Sequence, residues 1–172
     1  LYAGLNLALH LDVNKGLQVD YRGLKGTLKG AVDLKQAPAG FLVANGSLHL
    51  EKATYDLRGS GTLDLTRSFF HYYGGIWDNP FIDVKVERAI DGTSGSFMQG
   101  PLLVGLSVKG QFKDYRIDYY SSPVVLTHEE ILSYLLTGST SMVGDVSSQM
   151  AAGNQISSVS LGARLFNLFH FI

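Results

Sequence analysis

The sequence predicts a mostly β fold, an antiparallel meander with one short helix towards its C-terminal side. Three observations lead there. Apolar residues recur with a period of two through most of the chain up to residue 120, the mark of strands with one apolar and one polar face. Turn formers such as Asn14-Lys15-Gly16, Arg58-Gly59-Ser60-Gly61 and Asp78-Asn79-Pro80 punctuate these runs. At Pro123 to Gly138, PVVLTHEEILSYLLTG, the period then changes from that of a strand to that of a helix.

In chain order, Leu5, Leu7, Leu9, Leu11 and Val13 alternate with Asn6, Ala8, His10 and Asp12. After the turn at 14–16, Leu17, Val19 and Tyr21 alternate with Gln18, Asp20 and Arg22, so the two runs read as a hairpin. Leu24, Leu28, Val32 and Leu34 share a parity with Gly26 and Gly30, where a glycine permits close approach or a bend. A loop at 35–40 precedes Leu42, Ala44, Gly46, Leu48 and Leu50 on one face, with Ser47, His49 and Glu51 turned away. Ala53, Tyr55 and Leu57 change parity after Lys52, which predicts a bulge or short turn there. Leu63 and Leu65 resume the alternation, and the segment from Phe69 to Trp77 is crowded with aromatics. Ile82, Val84 and Val86 oppose Asp83, Lys85 and Glu87. Ala89 to Gly100 reads as a loop, Leu102, Val104, Leu106 and Val108 as a further strand, and Tyr115, Ile117 and Tyr119 as the last.

Thr127 and Glu130 have the T-x-x-E spacing of a capping box, with Leu126 as a staple towards Ile131. Ile131, Leu132, Leu135 and Leu136 form an apolar stripe, Glu129 and Glu130 suit the first turn, and Gly138 suits the left-handed stop. The expected organisation is one β-rich domain over 1–172, excised from a longer chain, with strands over 1–120, a helix over 127–137 and an unassigned tail over 139–172. Within that tail, Met142, Val146, Met150 and Gly153 have helical spacing, and Leu161 to Phe169 reads as helix or strand. Wet and greasy faces on every strand favour an antiparallel sheet over a doubly covered parallel one. Parity alone leaves a rolled sheet, a barrel and a sandwich open.

Composition narrows the function classes. The absence of cysteine removes disulfides, thiolate metal sites and cysteine nucleophiles. A net charge of −1 with 17% charged residues supplies no basic stripe for nucleic acid. His10, His49, His71, His128 and His170 are scattered without metal-ligand spacing, and no carboxylate pair stands in a catalytic context. No cofactor or metal site is expected, and no enzyme. Tyr72, Tyr73, Trp77 and Phe81 are candidates for a ligand surface or for a core cluster.

Several of these segments resemble one family. GLKGTLKGAVDL from Gly23 is similar to early strands of the TamB C-terminal domain, and ANGSLHLEKATYDL from Ala44 to its repeated strand pair. FHYYGGIWDNPFIDVKVER, from Phe70 to Arg88, resembles its aromatic–glycine, Asn-Pro and acidic strand ending in arginine. Val104 to Gly110 resembles the strand that follows, and SSPVVLTHEEILSYLLTG, from Ser121 to Gly138, is the closest correspondence. The chain departs from the pattern at Val86, at Ser139-Thr140 and through the tail.

The resemblance implies a curved or folded-over antiparallel sheet, β-taco-like, with an open apolar groove and a short helix on or near it. It implies a periplasmic location, in a protein anchored in the inner membrane of a Gram-negative bacterium. It also implies an outer-membrane barrel partner of the Omp85 type (TamA-like). The implied cargo is phospholipid acyl chains or unfolded outer-membrane protein strands, in support of outer-membrane protein insertion, lipid transport between the membranes, or both. On that reading Leu7, Leu9, Leu28, Leu48, Val84, Val104 and Ile117 are the candidate groove lining, and Ile131, Leu132, Leu135 and Leu136 form a helix plug. The competing expectations are a structural or adhesive β-domain of a surface protein and a fragment of an outer-membrane β-barrel, whose lipid-facing residues would also alternate.

Overall fold

The computed structural model describes residues 6–38, 40–91 and 101–139. Eight strands and one helix follow in chain order: β1 (Ala8–Asp12), β2 (Leu17–Tyr21), β3 (Leu24–Gln36), β4 (Leu42–Asp56), β5 (Thr62–Ile76), β6 (Phe81–Ile90), β7 (Leu102–Gln111), β8 (Asp114–Ser122) and α1 (His128–Thr137). From β3 to β8 each strand pairs antiparallel with the next, giving an open sheet that among the described residues does not close into a barrel. The readings of 142–153 and 161–169, and most of the 89–100 loop, lie outside the described residues.

One expectation is corrected. β1 and β2 do not form a hairpin: both pair antiparallel with β3, on the same edge. Leu11 lies opposite Val32 and Leu17 opposite Leu28, so the two runs are successive pieces of one interrupted edge strand. The turn at 14–16 does not reverse the chain. Val13 still donates to Gly30 O, and Gly16 donates back to Val13 O. The true hairpin turn is Arg22-Gly23, between β2 and β3, with φ of 49° and 97°. Positive φ at both central residues is what a two-residue turn needs to match strand twist.

The parity change after Lys52 is a bulge inside the single strand β4. Lys52 has φ of 49°, and the register jumps from Thr27↔Glu51 to Lys25↔Thr54. A second bulge lies in β5, where the register shifts between Leu65 and Arg67. Bulges restore the greasy side to one face after an odd step, and they increase local twist.

The core sits on that face. Leu50, Ala53, Leu63, Leu65, Phe70, Ile82, Val84, Val86, Val104, Leu106 and Val108 are buried there together with Ile131 and Leu135 of α1. The opposite face is polar and aromatic. His49, Phe69, His71 and Tyr73 stack in sequence along it, with centroids 5.2, 5.6 and 6.0 Å apart. Tyr120 folds its ring over Gly105, its cross-strand partner, where no Cβ would fit. Its hydroxyl donates to Glu87 at 2.7 Å, and Lys85 lies 4.6 Å above the ring. Burial pushes the Tyr120 phenol up, as does the Glu87 carboxylate. Burial also pushes Glu87 up, but hydrogen bonds from Tyr120, Lys85 and Thr66 outweigh it and leave the carboxyl below its ordinary value.

Candidate functional site: the apolar face and its helix

Cross-strand register assembles the apolar face residue by residue. Leu9 opposes Leu34, Leu28 opposes Leu50, Gly30 opposes Leu48, and Leu48 opposes Phe70. Phe70 opposes Ile82, Val84 opposes Val108, and Val108 opposes Ile117. Leu7, two residues before Leu9, shares its parity, and Val104 lies four residues before Val108 on β7, on the same parity. All seven candidate lining positions therefore belong to one face that runs unbroken from β1 to β8.

They are not covered alike. Val84 and Val104 are 1% and 0% exposed, whereas Leu28 and Leu48 are half-buried. Leu7, Leu9 and Ile117 are 43%, 54% and 36% exposed. Leu11, Leu17 and Tyr21 extend the uncovered area along the β1–β2 edge. The face is sealed in its middle and open at both margins, more so at β1–β2.

The helix explains part of the seal. Thr127 caps it: Glu130 N donates to Thr127 Oγ1 at 3.3 Å, and Thr127 N donates to Glu130 Oε2 at 2.8 Å. The Thr127 backbone amide, followed by its hydroxyl, holds the Glu130 carboxyl below its usual range. Gly138, at φ 77°, ends the helix and donates to Tyr134 O. Between these stops Ile131 and Leu135 point inward, 2% and 0% exposed, and Leu132 and Leu136 pack half-buried against the same core. The contacts of α1 are chiefly with β6, β7 and β8.

Arg88, which the sequence marked only as the arginine that ends a family-like strand, holds this arrangement. Arg88 occupies the next apolar-parity position of β6 after Ile82, Val84 and Val86. It donates to Leu135 O at 3.0 Å and to Ser60 O at 2.6 Å. It thereby places a cation at the carbonyl end of α1, whose last turn has no basic residue of its own. Nη2 would lie 2.8 Å from a Cβ at Gly138, so this clasp needs glycine there. A charge on the greasy parity was the available signal. Ser68, 1% exposed opposite Val84, has a hydroxyl with no hydrogen-bond partner among the described residues. The β5 bulge hid its inward placement.

The aromatic candidates divide. Tyr72 lies on the apolar face opposite Gly46, and Tyr73 lies on the stacked face. Tyr72, Tyr73 and Phe81 touch one pocket of about 180 Å³ with Asn79 and Gln111, which does not include Trp77. Among the described residues no group of three His, Asp or Glu could hold a metal ion. Among them no helix is long and apolar enough to cross a membrane.

The described residues form an open antiparallel sheet whose apolar face is partly covered by one clasped helix. The model of the TamB C-terminal domain family matches residues 1–172, and the chain belongs to that family. No curated protein matches the chain.

Proposed function

We propose that this chain is a non-catalytic periplasmic groove module of a translocation and assembly system, one that takes phospholipid acyl chains along its apolar face. The observation that carries the reading is the uneven cover of that face. Exposed Leu9, Leu11, Leu17 and Tyr21 continue directly into a core that is fully sealed at Val104 and Leu135. An acyl chain laid on the open part would gain roughly 0.8 kcal/mol for each methylene buried. Burial of Leu50, Leu63, Leu65 and Phe70 on β4 and β5, beyond the strands that α1 chiefly contacts, supports a sheet folded over on itself. In this reading α1 braces or plugs the groove at β6–β8, and an Omp85-type barrel is the partner that receives what is carried.

A second reading has its own observation. The outer edge of β1 and β2 carries no further strand among the described residues. An unfolded outer-membrane protein strand could add there by main-chain pairing.

The test places a photoreactive side chain at Leu9, Leu48 or Val104 and offers vesicles that contain radiolabelled phosphatidylethanolamine. Strong lipid adducts at Leu9, fewer at Leu48 and none at Val104 are expected. Adducts at Leu9 no more frequent than at Ser47, on the opposite face, would remove the lipid reading. Peptide adducts at Leu9 with an unfolded barrel segment would favour the second.

A further inference from the structure

We propose that the outer edge of β8, which carries no further strand among the described residues, pairs with β8 of a second copy of this chain, antiparallel, about a two-fold axis at Ile117. Among the described residues β8 is the last strand of the sheet, and α1 leaves it across the apolar face rather than along its edge. His128 stacks on Tyr119 at 4.7 Å, and Ser121 Oγ turns the chain by donating to Val124 O and accepting from Leu126 N. Along that edge the sequence reads Tyr115-Arg116-Ile117-Asp118-Tyr119, a palindrome in which the charge inverts about its centre. Antiparallel pairing centred on Ile117 sets each Arg116 opposite Asp118 of the second copy, twice, and each Tyr115 opposite Tyr119.

The faces agree. Arg116 and Asp118 oppose Lys109 and Ser107 of β7, so both stand on the polar face. Both are exposed, and neither forms an ion pair among the described residues. Ile117 stands on the apolar face, 36% exposed, where two copies would cover each other. Opposite charges placed directly across a strand pair stabilise it, and like charges there oppose it. A two-fold interface has to be self-complementary, which this segment is. No sheet-breaking proline lies between Asp114 and Ser122 to blunt the edge. The proposal is independent of what the apolar face carries.

The test is the oligomeric state of the 172-residue chain by sedimentation velocity, from about 1 to about 100 µM, in low and in high salt. A concentration-dependent dimer that weakens with salt is expected. Arg116→Asp alone and Asp118→Arg alone place like charges opposite one another and should each weaken the dimer by about tenfold or more. The double variant R116D/D118R restores the palindrome with its signs exchanged and should recover the dimer. Circular dichroism of each variant checks that it is folded.

The chain has no cysteine, so Ile117→Cys gives a background-free second measurement. Directly opposed residues in an antiparallel pair lie ~4.5–5.5 Å apart at Cα, within disulfide reach. Oxidation should link two copies through residue 117 and leave Gln18→Cys, on the other edge, largely unlinked. A monomer at every concentration, a dimer indifferent to the single charge changes, or equal linking at 18 and 117 would each overturn the proposal.

Discussion

Two regions of the apolar face, the β1–β2 margin and the β6–β7 interior, carry the same kind of residue and differ in what happens to it. On β1 and β2, Leu9, Leu11 and Leu17 stand on the greasy parity, 54%, 40% and 53% exposed. On β6 and β7, Val84, Val104 and Val108 stand on the same parity at 1% or less. Alternation is therefore equally strong in both regions, and the difference is cover. β6 and β7 have neighbours on both sides and α1 above them. β1 and β2 are short, share one edge of β3 and have no helix above them among the described residues. A period of two reports which way a side chain points and is silent on whether anything meets it.

The strongest break in the contrast comes from cutting the cover. Leu135→Ala removes a side chain that is 0% exposed at the contact of α1 with the sheet. It should cost about 2–5 kcal/mol of stability, the range for a large-to-small change in a packed core. Urea unfolding measures it, and a loss below that range would mean that α1 is not what seals this region.

Arg88 comes next. Arg88→Met keeps the stem but removes the donors to Leu135 O and Ser60 O. The loss should be about 1.5–3 kcal/mol, as for a hydrogen bond to a charged group. Arg88→Lys should recover only part of it, because a single ammonium cannot reproduce the guanidinium fork. Hydrogen exchange should locate the loosening in α1 and leave β1–β3 unchanged.

Ser68→Ala should act in the opposite direction. It deletes a buried hydroxyl that has no partner among the described residues, and the desolvation it relieves is worth about 1 kcal/mol or more. A gain in the denaturation midpoint is expected, and a loss would mean that the hydroxyl is satisfied in solution.

These residues also show what the sequence could and could not reveal. Strand alternation, the Lys52 bulge, the capping box and the Gly138 stop are local, because each depends on neighbours within a few residues. All were legible. The partner of β1 was not, because Leu5 to Tyr21 with a turn in its middle satisfies every local rule for a hairpin. Pairing of both halves with β3 is decided by contacts more distant in sequence. The inward place of Ser68 and the bonds of Arg88 were hidden for different reasons. A bulge reset the parity before Ser68, and the bonds of Arg88 run to residues 28 and 47 positions away. Of the face itself, parity gave the apolar side of each strand; the register that joins those sides was not legible, nor was which positions are open or sealed.

The two regions should also respond oppositely to pH. Towards the open end, on the polar face, His10 hydrogen-bonds Asp33 at 2.6 Å, and that bond, followed by the carboxylate's charge, raises the imidazole above its ordinary value. Its contribution is full below the unfolded pKa and is lost as pH rises through the folded one. In the sealed region the lowered Glu87 carboxyl contributes above its unfolded pKa, and that contribution is lost as pH falls through the folded one. Hydrogen exchange at pH 5 and pH 8, on either side of the ordinary imidazole value of 6.5, should show β1 and β3 better protected at the lower pH, while the Glu87 contribution is present at both. Uniform behaviour of β1 and β3 across that range would mean that the His10 pair does not hold the edge.

The smallest expected effect on stability is the one that separates packing from exposure. Leu9→Ser and Leu17→Ser alter side chains that are already about half exposed. Each should change the unfolding free energy by no more than about 0.5 kcal/mol, as surface substitutions do. Both nevertheless remove apolar area from the uncovered margin, so uptake of an environment-sensitive acyl dye should fall. Val104→Ser, at 0% exposure, should do the reverse, with a large loss of stability and no loss of dye uptake by the protein that remains folded. If Leu9→Ser destabilises as much as Val104→Ser, the β1 margin is packed in solution and the contrast between the two regions disappears. If neither serine at the margin changes dye uptake, the open end is exposed without binding anything apolar.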